Sequence, residues 1–147
     1  MGRTPTYDTV QVGDALPVLR LPPTDRTTLA LFAGASGDHN PIHLDIDFAR
    51  RAGLPDVFAQ GMLGMAWLAR LLTDWVPQSQ LLEFRVRFLA VNHVGDAIAC
   101  AASVIDKFEQ NGRPCVRLEV RALDQEGECK IAGAALVALA PMQAEEA

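Results

Sequence analysis

One predicted helix limits most strongly how this chain can fold. Residues 61–75 have the sequence GMLGMAWLARLLTDW, so a helix is expected to begin after Gly61 and to stop at Pro77. Its only charged residues are Arg70 and Asp74, and it is therefore apolar nearly all round. A helix with this pattern is buried in a water-soluble domain, so other structure has to enclose it.

The second half of the chain supplies that structure, because its apolar residues recur at every second position. Residues 81–90, LLEFRVRFLA, and residues 115–123, CVRLEVRAL, alternate apolar with charged side chains. Residues 96–108 and 130–140 predict two further strands, and the sequences NGR and DQEGE predict the hairpin turns between them. We expect an antiparallel meander with one face in water.

The dry face of this sheet and the apolar helix can bury each other if the sheet curls around the helix. This is the arrangement of the hot-dog fold, so the predicted class is α+β. With 147 residues the chain has the length of one domain, which we assign to residues 1–147. Because a single sheet leaves edge strands unpaired, we also expect two copies to associate as a dimer.

The ends of the chain carry weaker signals. The first 26 residues are rich in proline and turn formers, and we expect an extended segment with strand candidates at residues 7–12 and 17–21. Residues 141–147 are expected to form a flexible tail.

Two shorter helices are predicted before the central one. The first runs through TTLALFAGAS, residues 27–36, and either Asp25 or Thr27 can cap it. The second covers IDFARRAG, residues 46–53, with Asp45 as its cap.

Composition argues against several kinds of partner. The formal net charge is −5 and the chain has no block of Lys and Arg, which disfavours nucleic acid or an anionic membrane. No uncharged apolar stretch is long enough to span a bilayer.

Cys100, Cys115 and Cys129 are odd in number and lie in apolar or alternating stretches, which is typical of thiols in a reducing compartment. The amino terminus lacks the apolar run of a signal peptide, so we expect a cytoplasmic protein.

Residues 36–43, SGDHNPIH, concentrate polar groups between two predicted helices. Asp38 and His43 would be roughly 17 Å apart in an extended chain, so they can share a site only if the chain doubles back. Gly37 and the Asn-Pro pair that follows it favour such a reversal. Two interpretations stay open: these groups bond their own backbone and hold the loop together, or Asp38 and His43 form an acid–base pair.

The spacing excludes two metal sites. His39 and His43 have the i, i+4 spacing of a zinc-binding helix, but Pro41 lies between them and no glutamate accompanies them. A calcium loop that starts at Asp38 requires glycine at its sixth position, which His43 occupies.

The segment FAGASGDHNPIHLD, residues 32–45, resembles the signature of the MaoC-like or hydratase 2 family, the (R)-specific enoyl-CoA hydratases. That signature has an aromatic residue, a small residue and the pattern G-D-x-N-P-hydrophobic-H. AQGM at residues 59–62 and RFLAVNHVGD at residues 87–96 resemble the family's opening of the central helix and its following strand and turn. The sequence departs from the family at Gln60, where histidine is frequent, and in the turn of the last segment, where proline is frequent.

The resemblance implies roles for five residues. Asp38 and His43 would be the catalytic dyad, in which Asp38 activates water and His43 binds the water and relays a proton. Asn40 would orient this pair, and Ser36 would either assist it or simply end the preceding helix. Gly61, with a free backbone N–H at the positive end of the helix dipole, is either the oxyanion donor or only a tightly packed helix start.

The implied enzyme is a hydro-lyase. It would add water to a trans-2-enoyl-CoA thioester, work in reverse as a 3-hydroxyacyl-CoA dehydratase, and need no metal or redox cofactor. Coenzyme A would enter as part of the substrate. A second hypothesis is a hot-dog acyl-CoA thioesterase, but its carboxylate is usually on the central helix, which has no acid before Asp74. A third is the catalytic subunit of a hetero-oligomeric dehydratase for a bulky acyl-CoA. A noncatalytic acyl-binding module has the least support.

Overall fold

A sheet and one long helix form the body of the protein in the computed structural model, which describes residues 5–141. Within these residues the sheet has five strands: β1 (Leu19–Pro23), β2 (Leu81–Phe88), β3 (Ala97–Gln110), β4 (Arg113–Leu123) and β5 (Cys129–Ala138). The helices are α1 (Arg26–Ser36), α2 (Ile46–Arg51) and α3 (Gly61–Trp75), and single 3-10 turns cover Pro41–His43 and Gln78–Gln80. The predicted tail, apart from Pro141, lies outside the described residues.

Helix α3 packs on one face of the sheet, as the apolar patterns predict. Leu68 and Leu72 of α3 have no exposed surface, and Val116, Leu118 and Val120 of β4 are equally buried in the same core cluster. Burying one such side chain stabilises the fold by about 1.5–3 kcal/mol. The α+β hot-dog arrangement is therefore confirmed.

The order of the strands differs from a simple meander. Strands β3, β4 and β5 are consecutive neighbours, but β2 pairs with β5 and β1 pairs with β3, which gives the order β1-β3-β4-β5-β2. Between β2 and β3 the chain therefore crosses from the edge strand β2, past β5 and β4, to the position next to β1 at the opposite edge. Alternation in a sequence reports which face a side chain occupies, but it does not report which strands are neighbours.

The sheet covers only part of the surface of α3. Leu63, Leu68 and Leu72 are buried, whereas Met62 remains 55% exposed and Ala66 is exposed as well. A single chain thus leaves part of the apolar helix open to solvent beside the edge strand β2.

Capping residues mark where the shorter helices begin. Asp25 accepts the backbone N–H of Thr28 at 2.7 Å, so Asp25 rather than Thr27 caps α1. Asp45 accepts two backbone N–H groups of α2, as predicted. An N-cap of this kind typically stabilises a helix by about 1 kcal/mol.

The segment before β1 is less extended than expected. Residues 7–12, predicted as a strand, begin with a turn in which Thr6 accepts the backbone N–H groups of Thr9 and Val10. The hydroxyl of Thr9 also donates to the Thr6 carbonyl, so local threonine bonds compete with strand pairing. The second candidate, residues 17–21, is confirmed with a shift, because β1 covers Leu19–Pro23.

The cysteines are free thiols, as the sequence predicts. Cys100 and Cys115 are buried, whereas Cys129 is only partly buried. Burial raises the pKa of Cys100 to about 12, so this thiol is not a nucleophile near neutral pH. Among the described residues, no helix is long and apolar enough to cross a membrane.

Gly133 of β5 allows the close approach of β2. A Cβ atom at this position would lie 2.1 Å from the carbonyl oxygen of Arg85 and 2.8 Å from the Cα of Val86. Gly133→Ala is therefore expected to destabilise the protein by about 1–3 kcal/mol or more, because the backbone of β2 would have to move. The free energy of unfolding in urea measures the effect.

Gly34→Ala in α1 is the matched control for Gly133→Ala. A Cβ at Gly34 meets no atom within 4 Å, so this change should stabilise the helix by up to about 1 kcal/mol. An unfolding midpoint of Gly133→Ala equal to that of the wild type would contradict the expected clash.

Candidate active site

Ser36 and Gly37 end α1 and turn the chain towards Asp38. Gly37 has a left-handed backbone (φ 76°), and its N–H donates to the carbonyl of Ala33. The Ser36 hydroxyl donates to the carbonyl of Phe32 at 2.7 Å and accepts the N–H of Asp38 at 3.2 Å. Of the two roles open to Ser36, these contacts are those of a residue that ends the helix.

Asn40 closes the reversal that brings the two ends of the loop together. Its side-chain oxygen accepts the N–H of Ile42 at 3.1 Å and caps the 3-10 turn Pro41–His43. Its own N–H donates to Oδ1 of Asp38 at 3.3 Å. Asn40 therefore shapes the loop with its side chain, which binds the backbone of Ile42, and with its own backbone N–H, which binds the carboxylate of Asp38.

Asp38 and His43 meet as the motif predicts. Oδ2 of Asp38 lies 3.8 Å from Nε2 of His43, which is too long for a direct hydrogen bond. The side chain of Asp38 is 43% exposed and that of His43 is 10% exposed. The pair thus joins a solvent-accessible carboxylate to a nearly buried imidazole.

The backbone of Phe58 orients the ring of His43. Nδ1 of His43 lies 2.7 Å from the carbonyl oxygen of Phe58, and the two rings make an edge contact with centroids 4.9 Å apart. A carbonyl oxygen can only accept a hydrogen bond, so Nδ1 carries the proton. In the neutral ring, Nε2 then presents its lone pair towards Asp38.

Gly61 is the first residue of α3, and the side chain of the preceding Gln60 makes no capping bond there. The ring of Phe88 lies against Gly61, since a Cβ on this glycine would stand 3.1 Å from the ring. The backbone N–H at this position belongs to the unpaired first turn of the helix.

The first turns of α3 separate two spaces. Gly61 and Gly64 line a cavity of about 290 Å³, whereas Met62 and Met65 line an open groove on another face of the helix. The other cavity-lining residues are mostly apolar: Phe58, Ala59, Gln60, Trp67, Phe88, Leu89, Ala90, Val91, Asn92, Ile98, Ala122, Lys130 and Ile131. The groove also contains Phe32, Ser36, Asp38, Ala66, Ala69 and Phe84. Asp38 and Gly61 thus border different spaces, and residues of the first turns of α3 line both of them.

Lys130, a buried residue that lines the cavity, is the centre of an ion-pair cluster. The ammonium of Lys130 lies 3.2 Å from Asp124 and 3.6 Å from Asp96, and it also contacts Glu128. Burial lowers the pKa of Lys130, but its bonds to Glu128 and Asp124 outweigh this effect and raise the pKa above its usual value. Burial likewise raises the pKa of Asp124, and backbone N–H donors together with Lys130 bring it below its usual value. Lys130 is therefore a charged but paired part of the wall.

Two further kinds of site are absent from the described residues: a cluster of metal ligands and a carboxylate on the first turns of α3. Within residues 5–141, no group of three or more His, Cys, Asp or Glu side chains is arranged to hold a metal ion. On α3 the first carboxylate is Asp74, which lies in the last turn, 3.8 Å from the guanidinium of Arg70. The helix therefore has no carboxylate near its N-terminal turn.

A family model agrees with this geometry. The model described as MaoC like domain matches residues 8–125, which include the Asp38–His43 loop, α3 and most of the sheet. The chain belongs to the MaoC-like domain family.

Relatives of this MaoC-like chain include hydratases and dehydratases. The (R)-specific enoyl-CoA hydratase of Aeromonas caviae is 31% identical over 113 residues, which are 76% of this chain and 83% of that protein. A mitochondrial 3-hydroxyacyl-acyl-carrier-protein dehydratase of Arabidopsis thaliana is 24% identical over 132 residues, 90% of this chain and 78% of that protein. The solved structure of the R-hydratase PhaJ1 from Pseudomonas aeruginosa superimposes with a TM-score of 0.81 at 28% identity, covering 94% of this chain and 86% of that one.

The sequence motif missed one partner in the MaoC-like site. The carbonyl of Phe58 holds His43 from 15 residues further along the chain. A main-chain carbonyl is present at every residue, so no residue type at position 58 signals this contact. The one hint in the sequence is that this segment lies just before the central helix.

Proposed function

We propose that this MaoC-like protein is an (R)-specific enoyl-CoA hydratase that also catalyses the reverse dehydration of 3-hydroxyacyl-CoA. One observation carries the proposal: Nδ1 of His43 donates to the Phe58 carbonyl, so Nε2 faces Oδ2 of Asp38 as a second acceptor. Two acceptors on one side of a gap are what a water molecule needs in order to be held by both of its hydrogens.

The separation of the two acceptors suits a single bridging water. A water that donates both hydrogens at about 2.8 Å holds its two acceptors roughly 4.4 Å apart. Oδ2 of Asp38 and Nε2 of His43 are 3.8 Å apart, so a small side-chain adjustment accommodates the water. Its lone pairs then point away from the dyad, where an alkene can approach.

The proposed reaction moves one water across the double bond. Asp38 takes a proton from the water, and the water oxygen bonds to carbon 3 of the enoyl thioester. The electron pair of the double bond moves onto the thioester oxygen, where the backbone N–H of Gly61 stabilises the charge. Asp38 passes this proton to His43, which delivers it to carbon 2 as the charge on the thioester oxygen returns to re-form the carbonyl. The oxygen and both hydrogens of the water therefore end in the product, and no metal or redox cofactor takes part.

The relatives support this class of reaction, but they differ in the carrier to which the acyl group is attached. One relative is named for a coenzyme A thioester and another for an acyl-carrier-protein thioester. Both carriers present the same reactive thioester, so the dyad chemistry is shared. We favour coenzyme A, and a parallel assay with crotonyl-acyl-carrier protein distinguishes the two.

Both members of the dyad are expected to be essential. In hydration of crotonyl-CoA, followed by loss of enoyl-thioester absorbance, Asp38→Asn and His43→Ala should each lower kcat by about 10²–10⁴-fold, since each removes one acceptor of the water. The double variant should be little worse than either single one, because the two groups act as a unit.

His39→Ala is the matched control, because His39 is an exposed histidine in the same loop. It should retain the activity of the wild type. Release of free thiol without water addition would instead favour the thioesterase, and inactivity on short and medium enoyl thioesters of both carriers would favour a hetero-oligomeric dehydratase with a missing subunit.

Gly61→Ala tests the oxyanion role. A Cβ would crowd the Phe88 ring and the approach to the backbone N–H, so kcat should fall by about 10²-fold. The fold should persist, because alanine favours a helix over glycine by about 1 kcal/mol. Adding Phe88→Leu removes the ring but leaves the Cβ beside the N–H, so kcat should stay low, whereas recovery of the rate would attribute the loss to the clash with Phe88. A wild-type kcat for Gly61→Ala would contradict an approach of the thioester oxygen to this N–H that is close enough for a Cβ to block it.

The partner we propose is a second copy of the chain. Strand β2 is at one edge of the sheet and lies beside the open groove, where Met62 is 55% exposed. An unpaired strand edge next to apolar surface favours association, and a second copy can cover both.

The homodimer predicts a mass in solution of about twice the 15.9 kDa of one chain, measured by light scattering. Ala66→Arg puts a charge into the groove and should shift the protein towards the monomer. Glu126→Arg, in the turn between β4 and β5, is the control and should leave the mass unchanged. A monomeric wild type would contradict the homodimer.

A further inference from the structure

Residues 58–61 form a short segment that links the dyad to the central helix. The carbonyl of Phe58 accepts the Nδ1–H of His43 at 2.7 Å, and Gly61 begins α3. The N–H of Ala59 donates to the carbonyl of Asn92 at 2.9 Å. The position of this segment therefore determines where the imidazole of His43 points.

Gln60 fastens the segment on its other side. Its side chain is buried, and Nε2 donates to the carbonyl of Leu29 at 3.0 Å, across 31 positions of sequence. Leu29 lies in α1, the helix whose C-terminal end leads through Ser36 and Gly37 to Asp38. One side chain thus ties the helix that delivers Asp38 to the segment that orients His43.

The orientation of this amide is determined by its partner. A carbonyl oxygen only accepts, so the nitrogen of Gln60 must face Leu29 and Oε1 must face away from it. Oε1 is buried and accepts no hydrogen bond from residues 5–141. A buried acceptor without a donor lowers stability, whereas methionine or leucine would fill similar space without this cost. Stability therefore does not account for glutamine at this position.

We propose that Gln60 is a positioning residue, which aligns His43 with Asp38 by tying residues 58–61 to α1. This role rests on the proposed hydratase chemistry. Gln60 acts through the Phe58 carbonyl and does not itself touch the reacting atoms.

The test replaces the amide with apolar side chains of similar size. Gln60→Met and Gln60→Leu are both made, so that one variant that folds suffices. Each should keep the melting temperature of the wild type or exceed it, yet lower kcat on crotonyl-CoA by about 10-fold with KM within about twofold. Gln60→His, which retains an N–H donor, should recover most of the lost kcat.

A spectroscopic measurement separates positioning from packing. In ¹⁵N-labelled protein, the Nδ1–H proton of His43 is assigned by its absence from His43→Ala. We expect it to be resolved in the wild type and in Gln60→His, and to broaden or shift in Gln60→Met and Gln60→Leu. An unchanged signal in both apolar variants would overturn the proposal, whatever the rates.

This measurement does not depend on the activity. If the wild type hydrates no enoyl thioester, the proposed function fails, and the His43 signal alone decides whether Gln60 positions the ring. If the wild type is active and the signal and kcat of the apolar variants equal its own, only the role of Gln60 fails.

Discussion

The packing of α3 against the sheet is the constraint on which the other features of this protein depend. Leu68 and Leu72 are buried on the sheet together with the inward row of β4, so the axis of the helix cannot shift without opening the core. Its first residue, Gly61, is consequently held beside Phe88 of β2. The same helix separates the apolar cavity from the groove that contains Asp38.

The polar groups of the loop between α1 and α2 make contacts that fit both interpretations left open by the sequence. Oδ1 of Asp38 accepts the N–H of Asn40 and so helps to close the loop, while Oδ2 faces His43. The two carboxylate oxygens of Asp38 thus have different neighbours. The bonds that hold the reversal are also the bonds that bring the dyad within 3.8 Å, so the structural and catalytic interpretations of this motif are compatible.

Much of the fold was predictable, because the period of apolar residues reports burial directly. The central helix, the inward row of β4 and the cap at Asp45 follow from such local signals, whereas the sequence left Asp25 and Thr27 as alternative caps of α1. The order of the strands and the turn at residues 7–9 did not follow, since pairing partners and competing threonine bonds depend on distant or subtle contacts. In the site, the meeting of Asp38 with His43 was predictable from the motif. The bond from the His43 ring to the Phe58 carbonyl, 15 positions away, and the bond from the Gln60 amide to the Leu29 carbonyl, 31 positions away, were not.

The acceptor that holds His43 belongs to the main chain, and this has a consequence for how the site tolerates change. Any residue at position 58 supplies a carbonyl, so substitution there alters the ring contact but not the atom that binds Nδ1. The path of the backbone therefore determines which nitrogen of the imidazole carries the proton. Side chains around the site can diverge while the ring nitrogen that faces Asp38 stays the same.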